Sequence, residues 1–464
     1  MSSALFLVLF AAVLLCLSDF RKGIIVIAAV GLLQDLVRKL APGQPTYLMG
    51  LVFIAFAATF AGALARENPF WWRRRDWESL RTPLGLFALA FGVQALVSYV
   101  RIGSLVLIGV GLAAYAGPVV ALVLGSWAGA RHGVVQRFLV AYLVFVALMA
   151  SGIVLYQAGY RWPSLMSIGP GLTVYDWRLG AVYLPPGFFR APEVASWHCA
   201  TAACVAVTLA AARKATSARW AALGGLAVLF SWCVIVAGRR KGLGEIVIFL
   251  ALFAYLQVWY RGRLGRLGPA VLVTILIGAF AFQRYGLQEK AAAQIGSMRE
   301  RSDTAGGAAG RFLGGATSLP QVVEAAGFFG TGLGTGTQGA QHFRTEGEKW
   351  NLISESGLAR VVAELGVPGS VTALFLLIRF GSNLRERARM LRRATEADPA
   401  ILLGLTALVF SNAVVFISAH QIFGDPFVYI FLGLATGFVV AGLDEEGTAS
   451  WRDRRRAAVM PVAA

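Results

Sequence analysis

The sequence is poor in charge. Of its 464 residues, 14% are Asp, Glu, Lys or Arg and 57% are hydrophobic, whereas soluble domains carry roughly a quarter charged residues. No long polar block is present that would fold as a separate soluble domain. Cysteine is scarce: Cys16, Cys199, Cys204 and Cys233 all fall in apolar segments, with no ligand-spaced pair. That pattern argues against a disulfide framework or a zinc site, and leaves four small buried hydrophobes. The four histidines have no carboxylate at metal-ligand spacing, so no metal held by protein ligands and no cofactor is expected. The glycine-rich "GTGLGTGTQG" lacks the lysine of a Walker loop and precedes no strong helix. It reads as a flexible cover or turn. The start, "MSSALFLVLFAAVLLCLSDF", has neither a basic n-region nor a small-residue cleavage site. A retained membrane span is expected there.

What the sequence has is apolar runs. Mean hydropathy is +0.67, and a span needs about 20 apolar residues. About thirteen segments qualify: 3–19, 22–37, 46–65, 82–100, 103–127, 138–158, 194–212, 219–237, 243–260, 268–283, 356–379, 399–419 and 426–443. The expectation is therefore an all-α polytopic membrane protein with about 12–14 transmembrane helices, one integral domain over 1–464. The formal net charge of +18 would suggest nucleic acid in a soluble protein. Here the cations crowd into short loops, such as "RENPFWWRRRDWESLR", "RKATSAR" and "RERARMLRR". Loop topology explains them first and an anionic lipid-linked ligand second, with no nucleic-acid partner. With these spans every cation-rich loop falls on one side, which is read as cytoplasmic. The C-terminus joins that side and the N-terminus lies outside.

Two longer segments then lie outside, 159–193 and 284–355. Within the second, 286–302 and 316–327 are expected as short interfacial helices. The turn "VIVAGRRKGLGEIVIF" also faces out, against the orientation rule. The outward cations are Arg178, Arg190, Arg239, Arg240, Lys241, Arg284, Arg311 and Arg344. Guanidinium groups suit phosphate oxygens and keep their charge when partly desolvated. Gathered on one face they would bind a diphosphate at the membrane surface. The competing reading for each is an arginine that snorkels to lipid headgroups. Glu245, one turn into the next span, is expected to pair with the Arg239–Arg240 turn, structurally or in catalysis.

"NLISESGLARVVAELGVPGSV" opens the eleventh span. Ser354 or Ser356 is placed to cap it, and Glu355 suits its positive end. Arg360 and Glu364 share a helical face, with Glu364 about 12 Å beyond the start. An ionisable group at that depth is a functional candidate, and the bland alternative is a buried ion pair. His198, His342 and His420 are candidate general bases, each weighed against a structural role.

Three stretches together resemble O-antigen ligase and polymerase-like proteins of bacterial polysaccharide assembly. They are "RLGAVYLPPGFFRAPEVASWHCAT", "AGRRKGLGEIVIFLALF", and "GRFLGGATSLPQVVEAAGFFGTGLGTGTQG" followed by "ESGLARVVAELGVPGSV", over roughly residues 180–380. The resemblance implies a metal-independent inverting glycosyltransferase, similar to the GT-C class, in the bacterial inner membrane. Its two outer segments would be periplasmic loops. Its donor would be an undecaprenyl-diphosphate-linked oligosaccharide, with membrane lipids, a chain-length regulator and a flippase as partners. It implies Arg239, Arg240, Arg311, Arg190 and Arg360 as the diphosphate-binding set, and a base among Glu355, His342 and Glu364. Ligases of this family carry "HN" where this sequence reads "ISESG". That departure favours a polymerase of O-antigen or exopolysaccharide repeat units, with Glu355 as the preferred base. A ligase to lipid A core and a lipid-linked sugar flippase are the alternatives.

Overall fold

The computed structural model describes residues 3–67, 78–130, 133–166, 175–176, 180–181, 184–212, 216–261, 318–337, 356–390, 399–418 and 420–459. The chain is a helical bundle. In order its helices are α1 (Ser3–Ser18), α2 (Phe20–Leu40), α3 (Leu51–Leu64), α4 (Glu78–Ile102), α5 (Leu105–Gly129), α6 (Val134–Gln157) and the single turn α7 (Pro163–Met166). Then come α8 (Pro192–Ala210), α9 (Ser217–Val236), α10 (Arg240–Arg261), α11 (Leu319–Ala326), α12 (Gly357–Met390), α13 (Pro399–Ser418) and α14 (Pro426–Val459). The only strands among the described residues are Tyr175–Asp176 and Gly180–Ala181, paired antiparallel.

Nine helices among the described residues are long and apolar enough to cross a membrane. Phe6–Ser18 and Pro426–Gly442 are apolar but shorter. Twelve of the thirteen expected segments coincide with a helix, and 268–283 lies outside the described residues. Segment 22–37 is the one long helix that departs from the expected apolar character. It sits inside α2, which buries Gln34, Asp35, Arg38 and Lys39. Of the two short helices expected in the second outer segment, α11 is present, and 286–302 lies outside the described residues.

Local chemistry sets the ends. Ser104 accepts from Leu107 N to start α5, and Thr216 accepts from Arg219 N to start α9. Pro192 occupies the first turn of α8, where its missing N–H costs nothing. Asp425 Oδ1 takes the Phe427 and Val428 N–H groups at 2.7 and 3.2 Å, capping α14. Along α5 and α14, Gly125 lies against the Leu434 backbone and Gly433 against the Pro118 carbonyl. Small residues let two backbones approach this closely, which is how helices associate where lipid offers no hydrophobic drive.

The contacts sort the connections into two ends of the bundle. At one end Lys39 Nζ, closing α2, donates to Leu165 O and Gly187 O. Arg101, closing α4, donates to Gly330 O, and Ser356, before α12, donates to Ile417 O at the close of α13. At the other end Arg66, closing α3, donates to Leu17 O of α1, and Asn383 of α12 reaches Ser79 of α4. The cation-rich loops themselves fall largely outside the described residues.

Candidate functional site

Three polar clusters lie towards the end that carries the connections before α8, α10, α12 and α14. The first is built around a break in α12. Gly366 has φ 66° inside that helix, a conformation open to glycine, and Pro368 has no N–H to offer the Glu364 carbonyl. The orphaned backbone is satisfied by an inserted loop, residues 328–337. Thr331 N donates to Ala363 O at 2.7 Å and Gly332 N to Glu364 O at 3.2 Å. Gln94 Nε2, from α4, donates to Leu365 O at 3.1 Å and Phe329 O at 2.8 Å, while Val367 N turns to Phe328 O. Ser98 holds Leu333 O. Gln94 lies about 12 Å short of the end of α4, so the loop dips into the bundle. It is no flexible cover. Residues 330–335 are buried, because their N–H and hydroxyl groups replace the hydrogen bonds that the break in α12 removes.

The same loop embraces Glu364. Gly336 N and Thr337 Oγ1 donate to Glu364 Oε1 at 2.6 and 3.0 Å. Arg360 Nη2 donates to Thr337 Oγ1 at 2.8 Å, with Nε 3.7 Å from the same carboxylate oxygen. The glycine-rich stretch thus holds an anion, and the anion belongs to the protein. Arg360 also lies 5.7 Å from the centre of the Tyr115 ring of α5. Glu364 Oε2 and the Tyr115 hydroxyl are buried with no hydrogen-bond partner among the described residues.

The second cluster is ionic. Arg190 Nη2 meets Asp425 Oδ2 at 2.6 Å, and its Nη1 meets Asp35 Oδ1 at 3.5 Å. Its backbone N–H also reaches Asp35 Oδ2. Burial works against the guanidinium charge, but Asp425 and Asp35 outweigh it and hold Arg190 above its usual pKa. Beside the cluster lies His198, stacked between Phe189 and Phe427 at 5.5 Å from each, with Nδ1 3.1 Å from the Tyr142 hydroxyl. This enclosure is a structural setting for the ring.

The third cluster is the turn between α9 and α10. Arg239 is ion-paired to Glu193 of α8, and the two side chains are 23% and 32% exposed. Ser196 donates to Arg239 O, and Gly242 sits against Ser196 where a side chain would collide. Arg240 is the first residue of α10. Glu245 does not pair with these arginines. Thr201 Oγ1 and Asn412 Nδ2 donate to its Oε1 at 2.8 and 3.1 Å, and Asn412 Oδ1 accepts from Trp197 Nε1 at 2.7 Å. One helical turn separates Glu245 from Lys241, and that turn carries its carboxylate inward between α8 and α13.

The structure therefore places Arg190, Arg239, Arg240, Arg360 and Glu364 towards one end of the bundle. Arg190 and Arg360 are engaged by buried carboxylates, while the Arg239–Glu193 pair is half-buried. Glu355, His342 and Arg311 lie outside the described residues. Sequence reasoning missed Asp35, Glu193 and Asp425, the carboxylates that meet the arginines. Their signal was available, since each is an acid at or inside an apolar segment. Among the described residues no group of three or more His, Cys, Asp or Glu is placed to hold a metal ion. No protein-family model matches the chain, and no curated protein matches it.

Proposed function

We propose that the chain is a polysaccharide polymerase of the bacterial inner membrane. It moves glycan from an undecaprenyl-diphosphate carrier onto a growing lipid-linked chain, of O-antigen or exopolysaccharide. In this reading it has about 12–14 spans in a GT-C-like arrangement, its N-terminus and the segments 159–193 and 284–355 are periplasmic, and its C-terminus is cytoplasmic. One observation carries the proposal. The chain segments that hold the family resemblance, distant in sequence, bring Arg190, Arg239, Arg240 and Arg360 to the same end of the bundle.

The chemistry follows from those groups. An acceptor hydroxyl attacks the anomeric carbon, a base takes its proton, and the carrier diphosphate leaves with the bonding pair. Positive groups aimed at the leaving oxygens stabilise the charge that develops there. Arg239 and Arg240 suit this role at the bundle end, together with Arg311. The Glu193 carboxylate neutralises Arg239 at rest and gives way when a diphosphate brings more negative charge. Arg190 and Arg360, the other members of the set, are paired with Asp425 and Glu364. Glu355, next to the Ser356 cap of α12, is the preferred base, with His342 and Glu364 behind it.

The deciding experiment is the lipid-linked pool of a strain lacking the protein. Carrier bearing a single repeat unit accumulates if the chain is the polymerase. Long polymer persisting on the carrier would make it a ligase, and repeat units trapped on the cytoplasmic face would make it a flippase.

A further inference from the structure

The described part of the bundle buries four carboxyl groups: Asp35, Glu245, Glu364 and Asp425. Three of them face a guanidinium, Asp35 and Asp425 through Arg190 and Glu364 through Arg360. Glu245 is the exception. It is wholly buried, and no ion pair reaches it among the described residues. Its only hydrogen-bond partners there are the neutral Thr201 hydroxyl and Asn412 amide. Taking a carboxylate out of water without a partner is costly enough that such a group neutralises itself instead.

Among the described residues, neutral donors alone reach the Glu245 carboxyl group. Both donors converge on Oε1, while Oε2 has no partner among the described residues. Glu364 Oε2 also has no partner there, but its Oε1 faces the Arg360 guanidinium, a positive charge that Glu245 lacks. An un-ionised acid accepts at its carbonyl oxygen and carries a donating O–H on the other. Asn412 is fixed in this orientation because its Oδ1 already accepts from Trp197 Nε1, so its amide presents N–H and not C=O to Glu245. A metal cation is disfavoured beside that N–H group. The titratable groups facing Glu245 are the Tyr142 hydroxyl of α6 and the Cys204 thiol of α8, and neither supplies positive charge. From α13 the facing group is Asn412.

We propose that Glu245 is a proton-binding site inside the bundle, holding one proton on Oε2 at neutral pH as the un-ionised acid. The ligand is the proton itself. The site joins α8, α10 and α13 through Thr201, Glu245 and Asn412. The α10 residue five positions earlier opens the helix at the Arg239–Lys241 turn, so loss of the proton places an unpaired charge directly behind that turn. The assignment does not depend on the glycosyl-transfer reading.

Infrared spectroscopy of the purified full chain in lipid tests it without any substrate. The wild type at neutral pH should show the carbonyl stretch of an un-ionised carboxyl, and Glu245→Gln should remove that band. Thr201→Val takes away one of the two donors to the carbonyl oxygen, so the same band should move to higher frequency. The variant keeps the size of the side chain, which makes the shift readable even if Glu245→Gln fails to fold. A wild-type spectrum with no such band at neutral pH would overturn the proposal, and so would a band that Thr201→Val leaves unmoved.

Discussion

Arg190 and Asp425, far apart in sequence, meet at 2.6 Å with their side chains 14% and 3% exposed. The pair ties the loop before α8 to the cap of α14. Asp35, 155 residues from Arg190, completes the clamp from α2. One oxygen of Asp425 takes the guanidinium while the other caps a helix, so a single side chain fixes both a charge and a backbone direction.

Arg190→Ala should therefore unfold the clamp. It leaves Asp35 and Asp425 buried without their cation, and breaking a buried pair from one side costs about 3–5 kcal/mol. Thermal unfolding in detergent should show a large fall in midpoint. Adding Asp35→Asn should return part of the loss, since it removes one of the stranded charges. A variant as stable as the wild type would show that the pair is incidental.

The half-buried Arg239–Glu193 pair behaves differently. Its groups keep part of their contact with solvent, so Glu193→Gln should lower the unfolding midpoint less than Arg190→Ala does. Arg239→Ala and Arg240→Ala should likewise stay folded and in the membrane, yet at least one should abolish polymer in cells. Full polymer from both variants would remove the turn from the diphosphate site.

Sidedness can be read chemically, because all four native cysteines are buried. Tyr160, at the end of α6, is 66% exposed, and Ser217, at the start of α9, is exposed at the opposite end. In intact cells with a permeabilised outer membrane, an impermeant maleimide should label Tyr160→Cys and not Ser217→Cys. The reverse result would put the arginine turn on the cytosolic side and end the polymerase proposal.

The bundle itself was legible because membrane spans announce themselves by length and hydropathy alone. What the sequence hid is pairing. Nothing local says that Asp35 would find Arg190, or that Glu245 would turn from the nearby arginines to Thr201 and Asn412. Those choices are made by helix rotation and by which face each acid presents inward. The loop 328–337 was hidden for another reason. Its glycines look like freedom, but Gly332 and Gly334 have φ of 102° and 85° because Ser98 and the Leu107 carbonyl press against them. The clue lay in Pro368, whose missing N–H demanded a substitute donor for the Glu364 carbonyl.

That account makes the glycines position-specific. Gly334→Ala would place a methyl group into the Leu107 carbonyl at a positive φ, so a loss of about 1–3 kcal/mol or more is expected. Gly43 also has a positive φ, 72°, but nothing stands within 4 Å of its would-be side chain. Gly43→Ala should therefore cost about 1 kcal/mol, the strain of its backbone alone. Equal unfolding midpoints for the two variants would mean that the loop is not packed into the bundle.

The base is separable from the scaffold by the same logic. Glu364 receives Gly336 N, Thr337 Oγ1 and the Arg360 guanidinium on one oxygen, so Glu364→Gln turns a charged anchor into a neutral one and strands a buried cation. It should lower the unfolding midpoint and lose polymer together. Glu355→Gln should lose polymer with the midpoint unchanged, because a group that removes a proton from an acceptor hydroxyl contributes to rate and not to packing. Measuring both quantities on both variants distinguishes the roles. Should Glu355→Gln keep full activity, the base falls to His342 or to Glu364, and a Glu364→Gln protein of wild-type stability with no polymer would select the second.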